Sequence, residues 1–462
     1  MKRTLSAFAQ AMAGQLQGAD AEFVNATIDT RKLAAGDLFF ALPGAHVDGH
    51  DFVAAAAAAA AAGAVVTRRL PLDLPQIVVQ DVAQALTAGA VAWRAQFAIP
   101  VIGVAGSNGK TTVKEMLAAI LGRAGACLST AGNLNNHLGV PLTLLRLSAA
   151  HRSAVVEIGA NRAGEVATLA ALAQPTVGLI TNAGAEHLEG FGDLEGVARA
   201  EGEMVAALRD KGVAVINADD NFAPMWRRMT AARVVSFGLS ESANVRASNI
   251  SHDVDERGFI SRFQLRSRSG SVEVELALAG EHNVRNAACA AAAAQAAGST
   301  LSDVVAGLRT MRAVNGRLQF RRTANGAWLI DDSYNANPSS VIAALDVLAG
   351  LAGRRWMVLG DMAELGDHTT ESHRAVGIAA RERGVERFYT FGKLAALAAD
   401  SFRLGADATQ SAHTFTDGDT LVRALNDALA PDVRLLVKGS RVNRLERVVA
   451  AMGAVPPVRS VG

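Results

Sequence analysis

Residues 101–121 leave this chain little freedom in its choice of fold. The apolar run Val101-Ile102-Gly103-Val104 passes straight into Ala105-Gly106-Ser107-Asn108-Gly109-Lys110-Thr111-Thr112. Val113, Met116, Leu117 and Ile120 then fall on one face at helical spacing. Strand, glycine loop and helix in immediate succession belong to a parallel α/β sheet. The backbone N–H groups of such a loop converge on phosphate oxygens, and the helix N-terminus adds a partial positive charge. Lys110 is then placed to neutralise the β- and γ-phosphates, and Thr111 to bind magnesium. The strict motif requires glycine at position 104, where Val104 stands, so the loop is a variant. The bland alternative is an ordinary strand-to-helix turn with a chance Gly-Lys-Thr; the flanking elements weigh against it. Such a loop says only that a nucleoside triphosphate is bound. Kinase, ATPase switch and ligase all remain open.

The same alternation continues downstream. Apolar strands at 101–104, 154–158, 177–181 and 213–216 are each followed by a helical pattern, which implies a parallel sheet covered on both faces. Upstream, 27–66 and 76–79 read as short strands around an alanine helix at 54–62, with another helix running through Trp93. A strand-rich stretch at 243–278 gives way to a helix at 283–297, and strands at 328–330, 356–359, 388–391 and 434–437 repeat the α/β theme. A chain of 462 residues is expected to hold two to four domains. Three are read here: a small N-terminal α/β domain over 1–99, a central P-loop-type parallel-sheet domain over 100–314, and a C-terminal Rossmann-like α/β domain over 315–462.

Composition narrows the partners. Half the residues are hydrophobic and 19% charged, ample for buried cores. With 45 basic against 44 acidic side chains there is no footprint for nucleic acid or an anionic membrane, so any phosphate binding must be local. Cys127 and Cys289 stand far apart, suggesting neither a disulfide framework nor a zinc site and fitting a reducing cytoplasm. The basic start Met1-Lys2-Arg3 raises a signal peptide, but Ser6 and Gln10 interrupt the apolar stretch, and Leu5, Phe8, Ala9 and Met12 read better as a buried first helix. The run at 54–62 is far shorter than the roughly 20 residues that cross a bilayer. A cytoplasmic protein without membrane insertion is expected. No long apolar stripe calls for a dimer, so a monomer is expected too.

Glu157 ends a strand and is followed by Gly159-Ala160-Asn161, which puts it at the carboxyl edge of the sheet, where doubly wound folds build their sites. His187 ends a similar path after Ile180-Thr181-Asn182-Ala183-Gly184-Ala185-Glu186. One carboxylate and one imidazole at neighbouring strand ends suit a magnesium ion touching a γ-phosphate and a substrate carboxylate. Each taken alone reads as a solvated or capping residue; their joint placement beside the glycine loop favours a site.

With these residues in view, the chain resembles the Mur ligases over nearly its whole length. The resemblance rests on Thr30-Arg31, 36–44 and 48–52 at the N-terminus, and on the loop 106–112, 132–136, Glu157, 182–189 and 280–286 in the middle. Beyond these, 316–319, 331–338, 359–366 and 438–441 carry it to the C-terminus. It implies that ATP phosphorylates a substrate carboxylate, that an amine attacks the acyl phosphate, and that ADP and phosphate leave. The stretch Asp332-Ser333-Tyr334-Asn335-Ala336-Asn337-Pro338 implies that UDP-N-acetylmuramoyl-tripeptide supplies the carboxylate and D-alanyl-D-alanine the amine, with ATP and Mg2+ as cofactors. By the resemblance, Lys110, Glu157 and His187 are catalytic, and Thr111, Glu157 and His187 hold the metal. Gly106, Ser107, Asn108, Gly109, Lys110, Thr111 and Thr112 cradle the nucleotide phosphates. Asn283 is expected near the adenine, Arg317 and Asn335 near the phosphates, and Asp332 near the ribose. Thr30, Arg31, Asn133, Asn135, Asn136 and Asn337 are expected on the substrates.

There is one departure. Mur ligases commonly carry a carbamylated lysine in the helix after the histidine, and here Glu201 stands at that place in Val197-Ala198-Arg199-Ala200-Glu201-Gly202-Glu203. Glu201 is expected to supply the carbamate's negative charge directly, a water bridging the shorter reach, and so to be catalytic; the alternative is an exposed helix glutamate. Two rival functions stand beside the main one: another ligase of the same fold, adding the third amino acid or glutamate to a folate, and a nucleotide-binding switch without ligase chemistry.

Overall fold

In the computed structural model, residues 3–44, 47–255 and 258–453 are described; Met1 and Lys2 of the basic start lie outside them. Among the described residues the chain forms three sheets, of five, nine and six strands. The first begins with Thr4, whose side chain accepts from the Ala7 N–H and so opens the helix Leu5–Ala11, with Leu5, Phe8 and Ala9 buried. Its strands lie in the order Gln15–Gln17, Gln76–Val78, Gly63–Val66, Leu38–Phe40, Ala26–Thr27, parallel except for the first pair. The alanine run expected to be helical at 54–62 stops early: the helix is Val53–Ala58, and Ala60 already has a φ of 58°.

The central sheet runs Ala126–Ser129, His151–Glu157, Val101–Ala105, Val177–Ile180, Val213–Asn217, Arg233–Gly238, Val245–Asp255, all parallel. Gly258–Ser267 and Gly270–Leu276 then extend it antiparallel, so the strand-rich stretch belongs to this same sheet. Every residue of Val101–Ala105 is buried, as a strand covered on both faces demands. One cover is the helix Lys110–Leu121; against it lies Glu281–Ala296, whose residues 287–294 are all buried alanines apart from Cys289. Such small side chains let helices approach closely while burying little bulk. The third sheet runs Gln319–Arg322, Trp328–Asp332, Val433–Lys438, Arg354–Gly360, Arg387–Phe391, Ser411–Phe415, parallel except for the first pair.

The N-terminal unit shares one apolar core with the central unit, running from Leu5, Phe8 and Trp93 to Val140, Leu142, Val156 and Ile180. Trp93 Nε1 donates to Leu147 O at 3.0 Å, and Arg94 Nε to Ala173 O at 2.9 Å, both bonds buried. The C-terminal unit meets the central one differently. Its apolar seam is small, with the Phe259 ring edge-on to Phe320 at 5.9 Å, and a cleft opens beside it.

Candidate functional site

The cleft has a volume of about 610 Å3 and lies at the carboxyl ends of the central strands, between the central and C-terminal units. Its wall includes Ser107, Asn108, Gly109, Lys110, Thr111, Thr112, Asn133, Asn135, Asn136, Glu157, His187 and Asn283 from the central unit. Arg317, Asp332, Asn335 and Asn337 come to it from the C-terminal unit. Thr30 and Arg31 do not line it; they sit in the turn Thr30–Lys32 of the N-terminal unit, where Arg31 pairs with Asp29 at 2.8 Å. Gly106, the first residue of the loop, and Glu201, bonded to its N–H, are not part of the wall.

The glycines of the loop are required by its shape. Gly106 has a φ of 118°, and a Cβ there would stand 2.1 Å from Thr181 Oγ1. Gly109 has a φ of 85°, and its Cβ would stand 2.5 Å from Asn286 Oδ1. Val104 is tolerated because the strand continues through it to Ala105, so the position needs no left-handed residue. The strand-end residues after Ile180 pin the loop. Asn108 N–H donates to Asn182 Oδ1 at 3.0 Å, and Thr181 Oγ1 to Asn108 O at 2.7 Å. The helix Lys110–Leu121 starts at Gly109 without a side-chain cap, so its first N–H groups remain available to an anion.

Lys110 folds back onto this loop. Its Nζ donates to Gly106 O, to Ser107 O at 3.1 Å and to Glu186 Oε1 at 3.3 Å. Burial alone would lower the ammonium, but the carboxylates of Glu186, Glu201 and Glu157 outweigh it and raise it above its ordinary value. Burial pushes Glu186 up to about 7, with Lys110 pulling against it. Glu201 is 4% exposed, and its Oε2 accepts from the Gly106 N–H at 2.6 Å. The exposed-helix alternative for Glu201 is therefore wrong: the helix Leu194–Ala206 turns that face inward, with Val197, Ala198, Met204 and Val205. Burial raises this carboxyl too, opposed by Lys110 and the Gly106 N–H.

Glu157 is held by Thr111 Oγ1 at 3.2 Å and Asn135 Nδ2 at 3.0 Å, both on Oε1. Its Oε2 is buried with no hydrogen-bond partner, and Lys114 Nζ stands 3.9 Å away. An orphaned carboxylate oxygen beside a threonine hydroxyl is the hard-oxygen chemistry that magnesium takes. Among the described residues no three His, Cys, Asp or Glu side chains cluster as a metal cage. That suits an ion bound through one or two protein oxygens plus substrate phosphates.

Polar contacts cross the cleft. Arg317 Nη2 donates to Thr111 Oγ1 at 3.1 Å, and its guanidinium lies 4.5 Å from the Tyr334 ring centre. Asn337 Nδ2 donates to Asn108 Oδ1 at 2.9 Å, and Asn108 Nδ2 to Ser339 Oγ at 3.1 Å. His187 Nδ1 and Glu364 Oε2 are 2.7 Å apart. Burial lowers the imidazole and Glu364 opposes the shift. Asp332 is engaged from behind by Lys438 Nζ at 2.6 Å. Asn283 lies inside the helix Glu281–Ala296, and its Nδ2 donates to Ala279 O at 2.8 Å.

Four site neighbours escaped the sequence reading. Lys114 had a signal, since a lysine among Val113, Met116 and Leu117 on a buried helix face needs an internal partner. Glu186, an acid directly before His187 at a strand end, had a weaker one. Lys438 stood in a quoted stretch without a role, and nothing local pointed Glu364 at His187.

Three family models cover most of the chain: the Mur ligase family catalytic domain over residues 22–93, the Mur ligase middle domain over 104–294 and the Mur ligase glutamate ligase domain over 316–441. UDP-N-acetylmuramoyl-tripeptide–D-alanyl-D-alanine ligase of Escherichia coli (strain K12) is 42% identical, the match covering 97% of this chain and 98% of that protein. A crystal structure of MurF from Acinetobacter baumannii superposes with a TM-score of 0.87 at 35% identity, covering 97% of this chain and 98% of that one. MurF ligase from Thermotoga maritima in complex with ADP gives 0.79 at 25% identity, covering 93% and 96%. With a full-length relative at that identity and family models matching all three units, the chain belongs to the Mur ligase family.

Proposed function

We propose that this chain joins D-alanyl-D-alanine to UDP-N-acetylmuramoyl-tripeptide at the expense of ATP, releasing ADP and phosphate in the cytoplasmic assembly of a peptidoglycan precursor. One observation carries the chemistry. The cleft brings Lys110, Thr111 and Glu157 of the central unit against Arg317 and Asn337 of the C-terminal unit, as a reaction needing phosphate handling and an acceptor requires. A carboxylate does not react with amines; transfer of the γ-phosphoryl group to its oxygen creates a leaving group. The dipeptide amine then attacks the acyl carbon, a C–N bond forms, and phosphate departs with the electron pair of the broken C–O bond.

In this reading the loop N–H groups of 106–112 hold the β- and γ-phosphates. Lys110 leaves Glu186 for the γ-phosphate, and Arg317 closes over the same oxygens. Thr111 and Glu157, whose Oε2 has no hydrogen-bond partner, would hold magnesium, with His187 at the facing edge; the ion would neutralise negative charge on the phosphates. Glu201 places negative charge directly under Lys110. Asn283 takes the adenine side and Asp332 the ribose side, with Asn335 toward the phosphates. Asn133, Asn135, Asn136 and Asn337 contact the acceptor and donor peptides. Thr30 and Arg31, on the N-terminal unit, take the distant uridine end. The three units divide at about 99 and 314, and the protein acts as a monomer without nucleic acid. Among the described residues no helix is long and apolar enough to cross a membrane.

The test is phosphate release with ATP and magnesium, supplying tripeptide nucleotide and dipeptide together and singly, with single amino acids and folates as controls. Release with the matched pair alone is expected. Turnover with a single amino acid would keep the site and replace the substrates, and turnover indifferent to any acceptor would favour a nucleotide switch.

A further inference from the structure

Glu364 has no part in the chemistry described so far, yet its setting is built. It lies in the loop between the strand Arg354–Gly360 and the helix Thr369–Glu382 of the C-terminal unit. Its neighbours anchor that loop inward: Met362 and Leu365 are buried in the core. The Met362 N–H donates to His373 Nε2 at 3.0 Å, and the Ala363 N–H to Ser440 Oγ at 2.9 Å. Glu364 reaches instead to the histidine of the central unit, its Oε2 2.7 Å from His187 Nδ1. Both partners hold a backbone conformation that side chains disfavour, with φ of 65° at Glu364 and 48° at His187. Strain retained at both ends of one contact marks a geometry that the surrounding structure enforces. The turns that follow them, Gly366–His368 and Leu188–Phe191, also pack together.

We propose that Glu364 is a positioning residue that couples docking of the C-terminal unit to the orientation of His187. Resting on the ligase reading above, the idea is geometric. A carboxylate 2.7 Å from Nδ1 fixes the proton on that nitrogen, leaving the Nε2 lone pair to face the cleft whose wall His187 forms. When the unit swings away the carboxylate leaves with it, and the ring loses both its tautomer and its direction. The cleft then reaches full competence only when both of its walls are in place.

The experiment compares Glu364→Gly and Glu364→Gln with the parent protein. Glycine removes the carboxylate and relieves the left-handed strain, so its melting temperature should equal or exceed the parent's, while kcat falls about 10- to 100-fold and the KM for the tripeptide nucleotide stays put. Glutamine keeps an oxygen that accepts the Nδ1 proton and should hold kcat within about threefold. Small-angle scattering with a non-hydrolysable ATP analogue gives an independent readout: the glycine variant should need more analogue to reach the parent's compaction. A glycine variant with the parent's kcat and compaction overturns the proposal, as does a glutamine variant as impaired as glycine. If the parent uses a different acceptor, the ligase assignment falls, while the compaction series, which needs only nucleotide, still decides on Glu364.

Discussion

The N-terminal unit meets the central one through a continuous apolar core stitched by Trp93 and Arg94, whereas the C-terminal unit meets it through a small seam at Phe259 and a row of polar contacts over a cleft. Material of the first kind behaves like the interior of one domain, since parting it would expose close-packed apolar surface. Material of the second kind exchanges readily with water, because each hydrogen bond contributes only about 0.5–1.5 kcal/mol net. By this argument the first two units hold together as one body, whereas the third is joined to them by contacts that water can replace.

The contrast can be broken most forcefully at Trp93. Trp93→Ala should cost about 3–5 kcal/mol and leave Leu147 O unpaired, splitting a shared N-terminal and central melting transition in calorimetry. A variant that melts like the parent would remove the distinction between the junctions. Glu201→Gln sharpens the other side. The change is isosteric and beneath the phosphate loop, so kcat should fall about 10- to 100-fold with little change in melting temperature; full activity with unchanged magnesium dependence would strip Glu201 of its assigned role.

The smallest effect is a pH dependence confined to the cleft. Removal from water, with the charges of Lys438 and Arg285, pushes His282 from an ordinary 6.5 down to about 4. Between those values the unfolded chain binds a proton that the folded chain refuses, so the stabilising contribution is complete above 6.5 and is lost as pH falls through 4. Melting temperatures from pH 7.5 downward should fall more steeply for the parent than for His282→Gln, and parallel curves would contradict this.

What the sequence made legible follows from how local each signal was. The loop 106–112 was readable because strand, glycines and helix are contiguous, and Glu157 because strand ends in parallel sheets point to one edge. The strands Ala126–Ser129 and Arg233–Gly238 were not singled out, since a short, half-exposed strand carries little alternation. The burial of Glu201 could not be separated from exposure by pattern alone: its helix is amphipathic, and which face turns in depends on the loop above it. Glu364 was illegible for a stronger reason. Its partner lies on another unit, and no local periodicity encodes a contact made by docking.

The seam at Phe259 also bears on how the molecule is made. Phe259 belongs to the apolar cluster of the C-terminal unit, with Leu318, Phe320 and Ile330, although it is encoded before any of them. A ribosome therefore delivers a finished central sheet with a bare aromatic tip, and that tip waits in solvent until residues from Leu318 onward emerge. Domains generally fold as they are synthesised, and exposed apolar surface at that stage invites aggregation. The hairpin of Val245–Asp255 and Gly258–Ser267, which carries Val254 and Phe259, thus presents the apolar tip on which the last unit packs, and a chain halted before Leu318 would carry an adhesive patch in place of a joint.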